Sequence, residues 1–459
     1  MSQLIEKLKK TLRPESVLSS PVDLIAYSFD GTFEQRLPDV AVLPESTEEV
    51  AAVVRIAAEC GVPVIPRGMA SGLAAASVPL DGGLVLSLTR MNRILEIDEE
   101  NRTARVEAGI VTADLQTRVE EVGLFYPPDP SSNRQSTMGG NIACNAGGPR
   151  CLKYGVTGDY VMGLTVVLPD GQVLETGGKV IKNVVGYDLT SLFVGSEGTL
   201  GVITEALLRL TAKPQFVQTA RAEFPSLEDA SRTVNAILAA GIVPATIELM
   251  DETAIACIEE AMQLGLPLDV EAILIIEADG SDEEAVVREI EAIAHICREN
   301  GARQVSVARD EAERASLWRA RRSVSPSLAR KAPNKLGEDI TVPRSAIPET
   351  IRRIKAISTD YGLPVVVFGH AGDGNLHPNI LFDRRDPAQW ENVERMVGEI
   401  FQVALDVGGT LSGEHGIGTF KLPYMHAAVG HTSVETQRRI KQALDPQNIL
   451  NPGKVLPEG

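Results

Sequence analysis

Cysteine is scarce in this chain of 459 residues, and no two cysteines are spaced as a pair. The five that occur are Cys60, Cys144, Cys151, Cys257 and Cys297, without any C-x-x-C motif. An odd, scattered set argues against a disulfide framework, an iron–sulfur cluster and a cysteine zinc site. If the protein moves electrons, another group must carry them.

The sequence also lacks a long apolar run. No stretch reaches the roughly 18 charge-free apolar residues that a membrane-spanning helix needs. The first twelve residues interleave charges with Leu4, Leu8 and Leu12 at helical spacing, which is typical of an amphipathic helix and not of a secretion signal. We expect a cytoplasmic protein, with any membrane association peripheral and through a partner subunit.

Clusters of positive charge are missing as well. Acidic residues outnumber basic ones 62 to 44, which gives a net charge of −18. Because no basic patch offsets this acidic field, nucleic acid is a poor candidate partner. The length predicts two or three domains around a large buried core.

Hydrophobic periodicity predicts a β-α-β unit near the N-terminus. Residues 40–66 contain a strand, a helix that begins at a capping box of Ser46 and Glu49, and a second strand. Short β-rich runs separated by glycine and proline fill residues 82–210, as in an α+β domain with a mixed sheet.

The region beyond Lys213 has a different character. Strand–helix–strand stretches follow one another at 216–249 and 272–308, the second with a helix opened by Ser281 and Glu284. Such a run is typical of a ferredoxin-like second domain.

Glycine is concentrated in three stretches, at 66–73, 136–148 and 194–204. Each stretch adjoins a predicted strand, so that bare backbone amides could donate to phosphate oxygens. The alternative is that these glycines only make turns, but three such stretches together favour a phosphate-bearing ligand. Neither the G-x-G-x-x-G fingerprint of a Rossmann unit nor a P-loop occurs.

Six motifs carry a family resemblance. They are PPDPSS (127–132), TMGGNIACNAGG (137–148), KYGVTGDYV (153–161), VVLPDG (166–171), the run from GYDLTSLF to TEALLRL (186–210) and LDPQNILNPGKV (444–455). In this order they resemble the vanillyl-alcohol oxidase/p-cresol methylhydroxylase superfamily. Within it, the chain is most similar to the FAD-linked 2-hydroxy-acid dehydrogenases, such as D-lactate dehydrogenase and the glycolate oxidase D subunit.

The resemblance covers nearly the whole chain and implies an α+β fold. It implies a two-part FAD-binding domain of the p-cresol methylhydroxylase type at 1–212, a ferredoxin-like cap for substrate and metal at 213–440, and a segment at 441–459 that returns to the FAD domain.

The resemblance also implies which residues bind FAD. The predicted FAD residues are Arg67, Gly68, Met69, Ala70, Ser71 and Gly72 at the pyrophosphate, Pro128, Asp129, Ser132, Thr137, Gly139, Gly140, Asn141 and Ala143 along the flavin and diphosphate, Glu197, Gly198 and Ile203 around the adenosine end, and Asn451 in the closing segment. Some relatives tether FAD to a first-domain histidine, but the earliest histidine here is His295. We therefore expect dissociable FAD.

One departure from the family concerns the first glycine stretch. Ala70, Ala75 and Ala76 stand where the family usually has glycine. At any of these positions with a positive φ, alanine costs about 1 kcal/mol or more.

Histidine is concentrated in the last quarter of the chain, in the motifs GHAGDGNLHPN (369–379) and SGEHGIG (412–418). His370 and His377 flank a turn between two predicted strands, which would bring both imidazoles to one side of a hairpin. Glu414 and His415 come from a distant loop. Two imidazoles and a carboxylate suit a divalent cation with open positions, although incidental turn histidines are the alternative.

The resemblance assigns roles to these residues. It implies that His370, His377 and Glu414 bind a divalent metal (Zn, Mn or Fe) and that His415 is the base beside the flavin. Asn375 and Asn379 either support the metal ligands or make turns.

A substrate carboxylate calls for an arginine fork. Aligned with the family's tryptophan–arginine segment, Arg321 is the predicted carboxylate ligand, with Arg330 and Lys335 as helpers. A solvated basic helix face is the alternative. Trp318 is favoured as a core residue.

These features together predict FAD- and metal-dependent oxidation of a D-2-hydroxy acid, glycolate or D-lactate, to the 2-oxo acid. The electrons would pass to an iron–sulfur subunit, an electron-transferring flavoprotein, a cytochrome or a quinone. Two alternatives stay open: a non-catalytic flavin-binding subunit, which would not need the histidine motifs, and a metal-dependent hydrolase, which would leave the flavin motifs idle.

Overall fold

The computed structural model describes residues 1–457, which fall into two units. Unit 1 contains residues 1–148, 156–213 and the chain from Glu414 onward, and unit 2 contains 149–155 and 214–413. The division differs from the predicted boundaries in three places. Residues 149–155 group with unit 2, and Lys213 and residues 414–440 group with unit 1.

Sixteen α-helices occur in the described part of the chain. They are α1 Ser2–Thr11, α2 Pro21–Leu24, α3 Thr47–Cys60, α4 Thr112–Glu120, α5 Met138–Cys144, α6 Cys151–Tyr154, α7 Leu189–Phe193, α8 Leu227–Ala239, α9 Glu252–Met262, α10 Glu283–Glu299, α11 Glu311–Arg322, α12 Val324–Leu328, α13 Ile347–Tyr361, α14 Pro387–Asp406, α15 Met425–Val429 and α16 His431–Leu444. Within residues 1–457, no helix is both long enough and apolar enough to cross a bilayer.

Nineteen strands are assigned in the same residues. They are β1 Val17–Leu18, β2 Val40–Val42, β3 Val64–Arg67, β4 Leu84–Ser87, β5 Ile94–Asp98, β6 Thr103–Glu107, β7 Leu124–Phe125, β8 Val161–Val167, β9 Val173–Gly177, β10 Val202–Arg209, β11 Thr211–Ala212, β12 Phe216–Phe224, β13 Thr246–Asp251, β14 Ala272–Gly280, β15 Gln304–Val307, β16 Asn334–Gly337, β17 Ile340–Thr341, β18 Val365–His370 and β19 Asn375–Phe382.

Unit 1 contains two main sheets. One has the order β1-β2-β4-β3, with β4 parallel to both β2 and β3, and the other is antiparallel in the order β5-β6-β10-β8-β9. The predicted β-α-β unit is confirmed as β2-α3-β3. The Ser46 hydroxyl accepts from the Glu49 amide, and α3 ends at Gly61 with φ of 62°.

The closing segment of the chain is bound to β3. The Val64 amide donates to the Ile449 carbonyl at 2.7 Å, and the Asn451 amide donates to the Val64 carbonyl at 2.8 Å. In addition, the Lys441 ammonium donates to the carbonyls of Thr199 and Leu450. These bonds fix Asn451 beside the strand that leads into the first glycine stretch.

Unit 2 is built on one antiparallel sheet of order β15-β12-β14-β13-β18-β19-β16, with β17 also pairing to β19. Its first four strands lie in the spatial order 4-1-3-2, with α8 and α10 between them in sequence, which is the ferredoxin-like arrangement. The β18–β19 hairpin extends this sheet beyond that motif.

The start of α10 differs from its prediction by one residue. The cap is Asp282, whose carboxylate accepts from the Ala285 amide at 2.9 Å, and not Ser281. Serine and aspartate cap helices about equally well. With Ser281 and Asp282 adjacent, the sequence does not decide which of them is the N-cap, and the packing of the helix does.

The short helix α6 belongs to unit 2 although unit 1 flanks it in sequence. The Lys153 ammonium donates to the Asp279 carbonyl at 2.6 Å, and the Tyr154 hydroxyl donates to the Asp279 carboxylate at 2.7 Å. Both contacts attach α6 to the end of β14.

The first glycine stretch contains alanine in a left-handed conformation at two positions. Ala70 has φ of 54° and Ala75 has φ of 59°, whereas Ala76 has no positive φ. The expected strain therefore applies at two of the three substituted positions.

We predict that Ala70→Gly is more stable than Ala76→Gly by about 1–2 kcal/mol in the free energy of unfolding. A left-handed alanine carries roughly 1–2 kcal/mol of strain that glycine relieves, while both substitutions lose roughly 0.4–1 kcal/mol through greater freedom of the unfolded chain. Urea unfolding followed by circular dichroism measures the difference. Equal destabilisation by the two substitutions would contradict the prediction.

Candidate active site

The two histidines of the first histidine motif lie on one face of the β18–β19 hairpin. His370 pairs with Asn375 and His377 pairs with Phe368, so that all four side chains share that face. Both imidazoles are buried, and their Nε2 atoms lie 3.5 Å apart. The prediction that the turn brings both imidazoles to one side of a hairpin is confirmed.

A buried carboxylate lies beside His370. Glu248 of β13 is the register partner of His370, and one of its oxygens contacts His370 Nδ1 while the other accepts from Arg321 Nε at 2.5 Å. Burial alone would raise the pKa of Glu248, but the charges and hydrogen bonds of Arg321 and His370 outweigh burial and lower this pKa to about 2. Glu248 is therefore held as a carboxylate that engages the Nδ1 side of His370.

Arg321 reaches Glu248 from α11. Its guanidinium carbon lies 4.7 Å from the centre of the Phe368 ring, and its side chain is 12% exposed. The hydrogen bond from this guanidinium to Glu248 uses Nε. The two Nη groups are therefore the donors that could meet a substrate carboxylate.

The other two predicted carboxylate ligands have different surroundings. Lys335 of β16 contacts the Ser325 hydroxyl, and burial lowers its pKa. Arg330 is exposed and donates to the Ala261 carbonyl near the end of α9 at 2.7 Å. Arg330 thus has a local partner of its own.

Trp318 and the two asparagines have structural partners. Trp318 packs against the core under α9, α11 and α12 and donates to Glu277 at 2.8 Å, as favoured. Asn379 donates to the His377 carbonyl at 2.9 Å, and Asn375 donates to Asp339 at 2.6 Å. Both amides thus hold the hairpin that carries the histidines.

Asp339 is fully buried and organises the start of the second histidine motif. Its second oxygen accepts from the Ser412 hydroxyl at 2.7 Å and from the Gly413 amide at 2.9 Å. Sequence reasoning missed both Asp339 and Glu248. The available signal was an acidic residue inside an otherwise strand-like run, as in ATIELM and GEDIT.

Glu414 follows Gly413 directly. His370, His377 and Glu414 each offer one ligand atom, and these atoms lie within 4.8 Å of one another. Two imidazole nitrogens and a carboxylate oxygen form a donor set that suits zinc, manganese or iron. The three residues therefore fit the predicted divalent cation.

In unit 1, Glu197 anchors the loop that contains His415. Its buried carboxylate accepts from the amides of Ile417 at 2.7 Å and Gly418 at 2.8 Å. The same residue's carbonyl accepts from Asn451 Nδ2 at 2.7 Å. The carboxylate of Glu197 thus positions the second histidine motif, and His415 is half-buried in that loop.

Contacts between glycine-rich segments bring several predicted FAD residues together. A Cβ added to Gly68 would lie 2.1 Å from the Thr137 hydroxyl, and one added to Gly139 would lie 2.7 Å from the Ala108 Cβ. The Ala143 carbonyl accepts from the Glu197 amide at 2.8 Å. These close approaches explain why glycine is needed at 68 and 139.

The remaining predicted FAD residues lie in the same unit. Pro128, Asn141, Gly198 and Ile203 are buried, Ala70, Ser71, Asp129, Ser132 and Gly140 are half-buried, and Met69 and Gly72 are exposed.

Buried polar atoms without a partner mark this region. Arg67 Nη1, Lys454 Nζ and Asn451 Oδ1 are buried and have no hydrogen-bond partner. Burial lowers the pKa of Lys454 to about 8 and also lowers that of Arg67. Arg67 also donates through Nη2 to the Ala26 carbonyl at 3.1 Å, so that its Nη1 and the Lys454 ammonium are the donors left without a partner. Because buried cationic donors without a partner are unfavourable, these two beside a glycine-rich loop fit the diphosphate of FAD. Lys454 was not predicted, although it ends the NPGK motif.

Comparison with protein families gives two matches. Residues 38–177 match the family described as an FAD binding domain, and residues 213–455 match the C-terminal domain of FAD linked oxidases.

Comparison with curated proteins gives relatives along nearly the whole chain. Glycolate oxidase subunit GlcD of Bacillus subtilis is 46% identical over 98% of this chain and 96% of its own. The Escherichia coli subunit GlcD is 39% identical over 96% and 88%. D-lactate dehydrogenase of Anaerostipes hadrus is 35% identical over 99% and 97%.

Solved structures support the fold. p-Cresol methylhydroxylase with substrate bound superposes with a TM-score of 0.84 at 18% identity, covering 99% of this chain and 96% of its own. 4-Ethylphenol oxidase of Gulosibacter chungangensis gives 0.81 at 21% identity, covering 100% and 97%. The predicted fold, with an FAD-binding domain of the p-cresol methylhydroxylase type, is confirmed.

We predict that binding of FAD to the FAD-free protein at about pH 8.5 takes up protons through Lys454. The pKa of this ammonium is about 8, and a nearby diphosphate would raise it, so that a largely neutral amine becomes charged. Titration calorimetry in two buffers of different protonation enthalpy measures the uptake. Lys454→Met should abolish it, and equal uptake in both proteins would contradict the assignment.

Proposed function

Since the chain belongs to the FAD-linked oxidases, we propose that it oxidises a D-2-hydroxy acid, glycolate or D-lactate, to the corresponding 2-oxo acid. It is an FAD-dependent oxidoreductase of the glycolate oxidase and D-lactate dehydrogenase type. The observation that carries the proposal is the donor group of His370, His377 and Glu414 in a chain that also matches the FAD-binding family. The alternative of a metal-dependent hydrolase does not explain why the chain matches both FAD families.

The reaction divides between the cofactors and the protein. A 2-hydroxy acid loses a hydride from its α-carbon and a proton from its hydroxyl to become a 2-oxo acid. Bound FAD would supply the hydride acceptor, and a cation held by His370, His377 and Glu414 would lower the pKa of the hydroxyl. The protein must therefore bind the carboxylate and accept the proton.

Arg321 is the proposed carboxylate ligand. Its Nε is engaged by Glu248 and its guanidinium lies against Phe368, so that the orientation of the group is held from two sides. The Nη groups can donate to a carboxylate as a planar fork. Lys335, which is half-buried and lies near Ser325, and Arg330, which donates to the Ala261 carbonyl through Nη1 only, are the proposed helpers.

His415 is the proposed proton acceptor. It stands next to the proposed ligand Glu414 in a glycine-flanked loop, and Glu197 anchors that loop two residues further on. Imidazole is the side chain that titrates near neutrality, which suits it to take a hydroxyl proton.

A protein is the proposed electron acceptor, either an iron–sulfur subunit or an electron-transferring flavoprotein. Relatives from Bacillus subtilis and Escherichia coli are named as subunits. In addition, residues 180–187 of unit 1 present five large apolar side chains that are 58–96% exposed. Such exposed patches commonly mark contacts with other proteins. Any association with a membrane would then come through this partner.

An anaerobic titration tests the proposed reaction. We predict that glycolate or D-lactate bleaches the visible absorbance of the bound flavin without any added acceptor, and that L-lactate does so much more slowly. Stopped-flow absorbance gives the rate of this single half-reaction. If no 2-hydroxy acid of either hand reduces the flavin, the proposed function is wrong.

Replacing the proposed base separates proton transfer from binding. We predict that His415→Asn lowers the rate of flavin reduction by about 10²–10⁴-fold, because asparagine cannot accept the proton. FAD and metal content should not change. His295→Asn, an exposed histidine of α10, is the matched control and should keep the wild-type rate. A near wild-type rate in His415→Asn would assign the proton to another group.

A further inference from the structure

Glu248 is a buried carboxylate to which neither the family resemblance nor any motif assigns a role. Its side chain is fully buried, and its two oxygens have different partners. One oxygen contacts His370 Nδ1, and the other accepts from Arg321 Nε at 2.5 Å. A single carboxylate therefore lies between a proposed metal ligand and the proposed ligand of the substrate carboxylate.

The contact with His370 determines which ring nitrogen is available to a metal. When Nδ1–H donates to Glu248, the lone pair lies on Nε2, the atom that faces His377 Nε2 at 3.5 Å. Carboxylates that accept from a metal-binding histidine in this way fix its tautomer and ring orientation and make it a better ligand.

The contact with Arg321 determines which donors remain for substrate. Nε–H donates to Glu248 while the ring of Phe368 lies 4.7 Å from the guanidinium carbon. Phe368 belongs to the same hairpin as both histidines and is the register partner of His377. The guanidinium is therefore held by groups that also hold the metal ligands.

We propose that Glu248 is a positioning residue that couples metal binding to substrate-carboxylate binding. A cation on His370 Nε2 would draw electron density from the imidazole and strengthen the Nδ1–H bond to Glu248. Glu248 would then attract Arg321 less, which leaves the arginine charge more available to a carboxylate. Because coupling between two sites is reciprocal, a bound carboxylate must also strengthen metal binding. This inference rests on the proposed function.

Zinc binding to the metal-free, FAD-loaded enzyme is the first test. We predict that Glu248→Gln raises the Kd for Zn²⁺ by about 10–100-fold. Competition with a chromophoric chelator measures this Kd. The His370→Ala variant measures how much Zn²⁺ binds at adventitious sites. FAD content and melting temperature report folding, and Glu248→Asp replaces the glutamine variant in the same measurement if that variant does not fold.

Glu277 provides a matched control. It is a buried carboxylate on the neighbouring strand β14 and the same sheet face, but it accepts from Trp318 Nε1 and the Thr219 hydroxyl, each at 2.8 Å. Glu277→Gln should leave the Zn²⁺ Kd near the wild-type value. If both variants weaken zinc binding equally, Glu248 has only the structural role of any buried carboxylate.

The coupling itself is tested with propionate, which has the carboxylate of lactate without the hydroxyl. In the wild-type enzyme, saturating propionate should lower the Kd for Zn²⁺ by about 5-fold or more. A 5-fold change is the lower end of the coupling usually found between two sites. Glu248→Gln should lose this effect. An equal effect in both proteins would mean that propionate binds the metal directly, and the coupling would be rejected.

The outcomes separate this inference from the proposed function. If the wild-type enzyme does not bind zinc above the His370→Ala background, the proposed metal site is wrong and the inference fails with it. If zinc binds and supports flavin reduction but Glu248→Gln binds it equally well, only the role of Glu248 is rejected.

Discussion

The register between β13, β18 and β19 is the constraint on which the rest of the unit 2 site depends. Side chains alternate between the two faces of a sheet, so that a slip of one residue would move His370 or His377 to the opposite face. The observed pairing places His370 beside Glu248 and His377 beside His370, on the face that α9, α11 and α12 cover. Glu248 is fully buried on that face. Because a buried charge without a partner is unfavourable, the two partners of Glu248 are needed to stabilise it.

Local motifs in the sequence predicted what depends on neighbouring residues. The β-α-β unit and the hairpin with its two histidines follow from a few consecutive residues, whereas the strain at Ala70 was expected from the family resemblance, which implies glycine at that position. Glu248 and Asp339 escaped prediction because their partners are distant in sequence: Glu248 and His370 are 122 residues apart, and Asp339 and Ser412 are 73 apart. Glu248 lies in β13 and Asp339 lies between β16 and β17. Whether an acidic residue in or beside a strand is solvated or positions a functional residue depends on the pairing of the sheet, which a single sequence does not specify.

Unit 1 shows the complementary situation, in which two buried cationic groups have donor atoms without a partner, Arg67 Nη1 and Lys454 Nζ. The buried groups of Arg67 and Lys454 come from β3 and from the closing segment, and the bonds of Val64 bring those two parts of the chain together. The glycine motifs were visible in the sequence, and the family resemblance implied that residues 441–459 return to this unit, but the pairing of Val64 with Leu450 was not visible. The anion-binding character of the unit thus comes as much from the tail as from the glycines.

The placement of α6 has a consequence for how the polypeptide is made. Lys153 and Tyr154 leave the ribosome more than a hundred residues before Asp279, the group to which they bind. Unit 1 is likewise incomplete until its last segment, after Glu414, has been synthesised. Neither unit corresponds to a continuous stretch of chain, so that a fragment cut at 213 or 413 would lack part of its own unit. Unit 2 therefore cannot be completed before Asp279 has been synthesised, and unit 1 cannot be completed before the segment that follows Glu414.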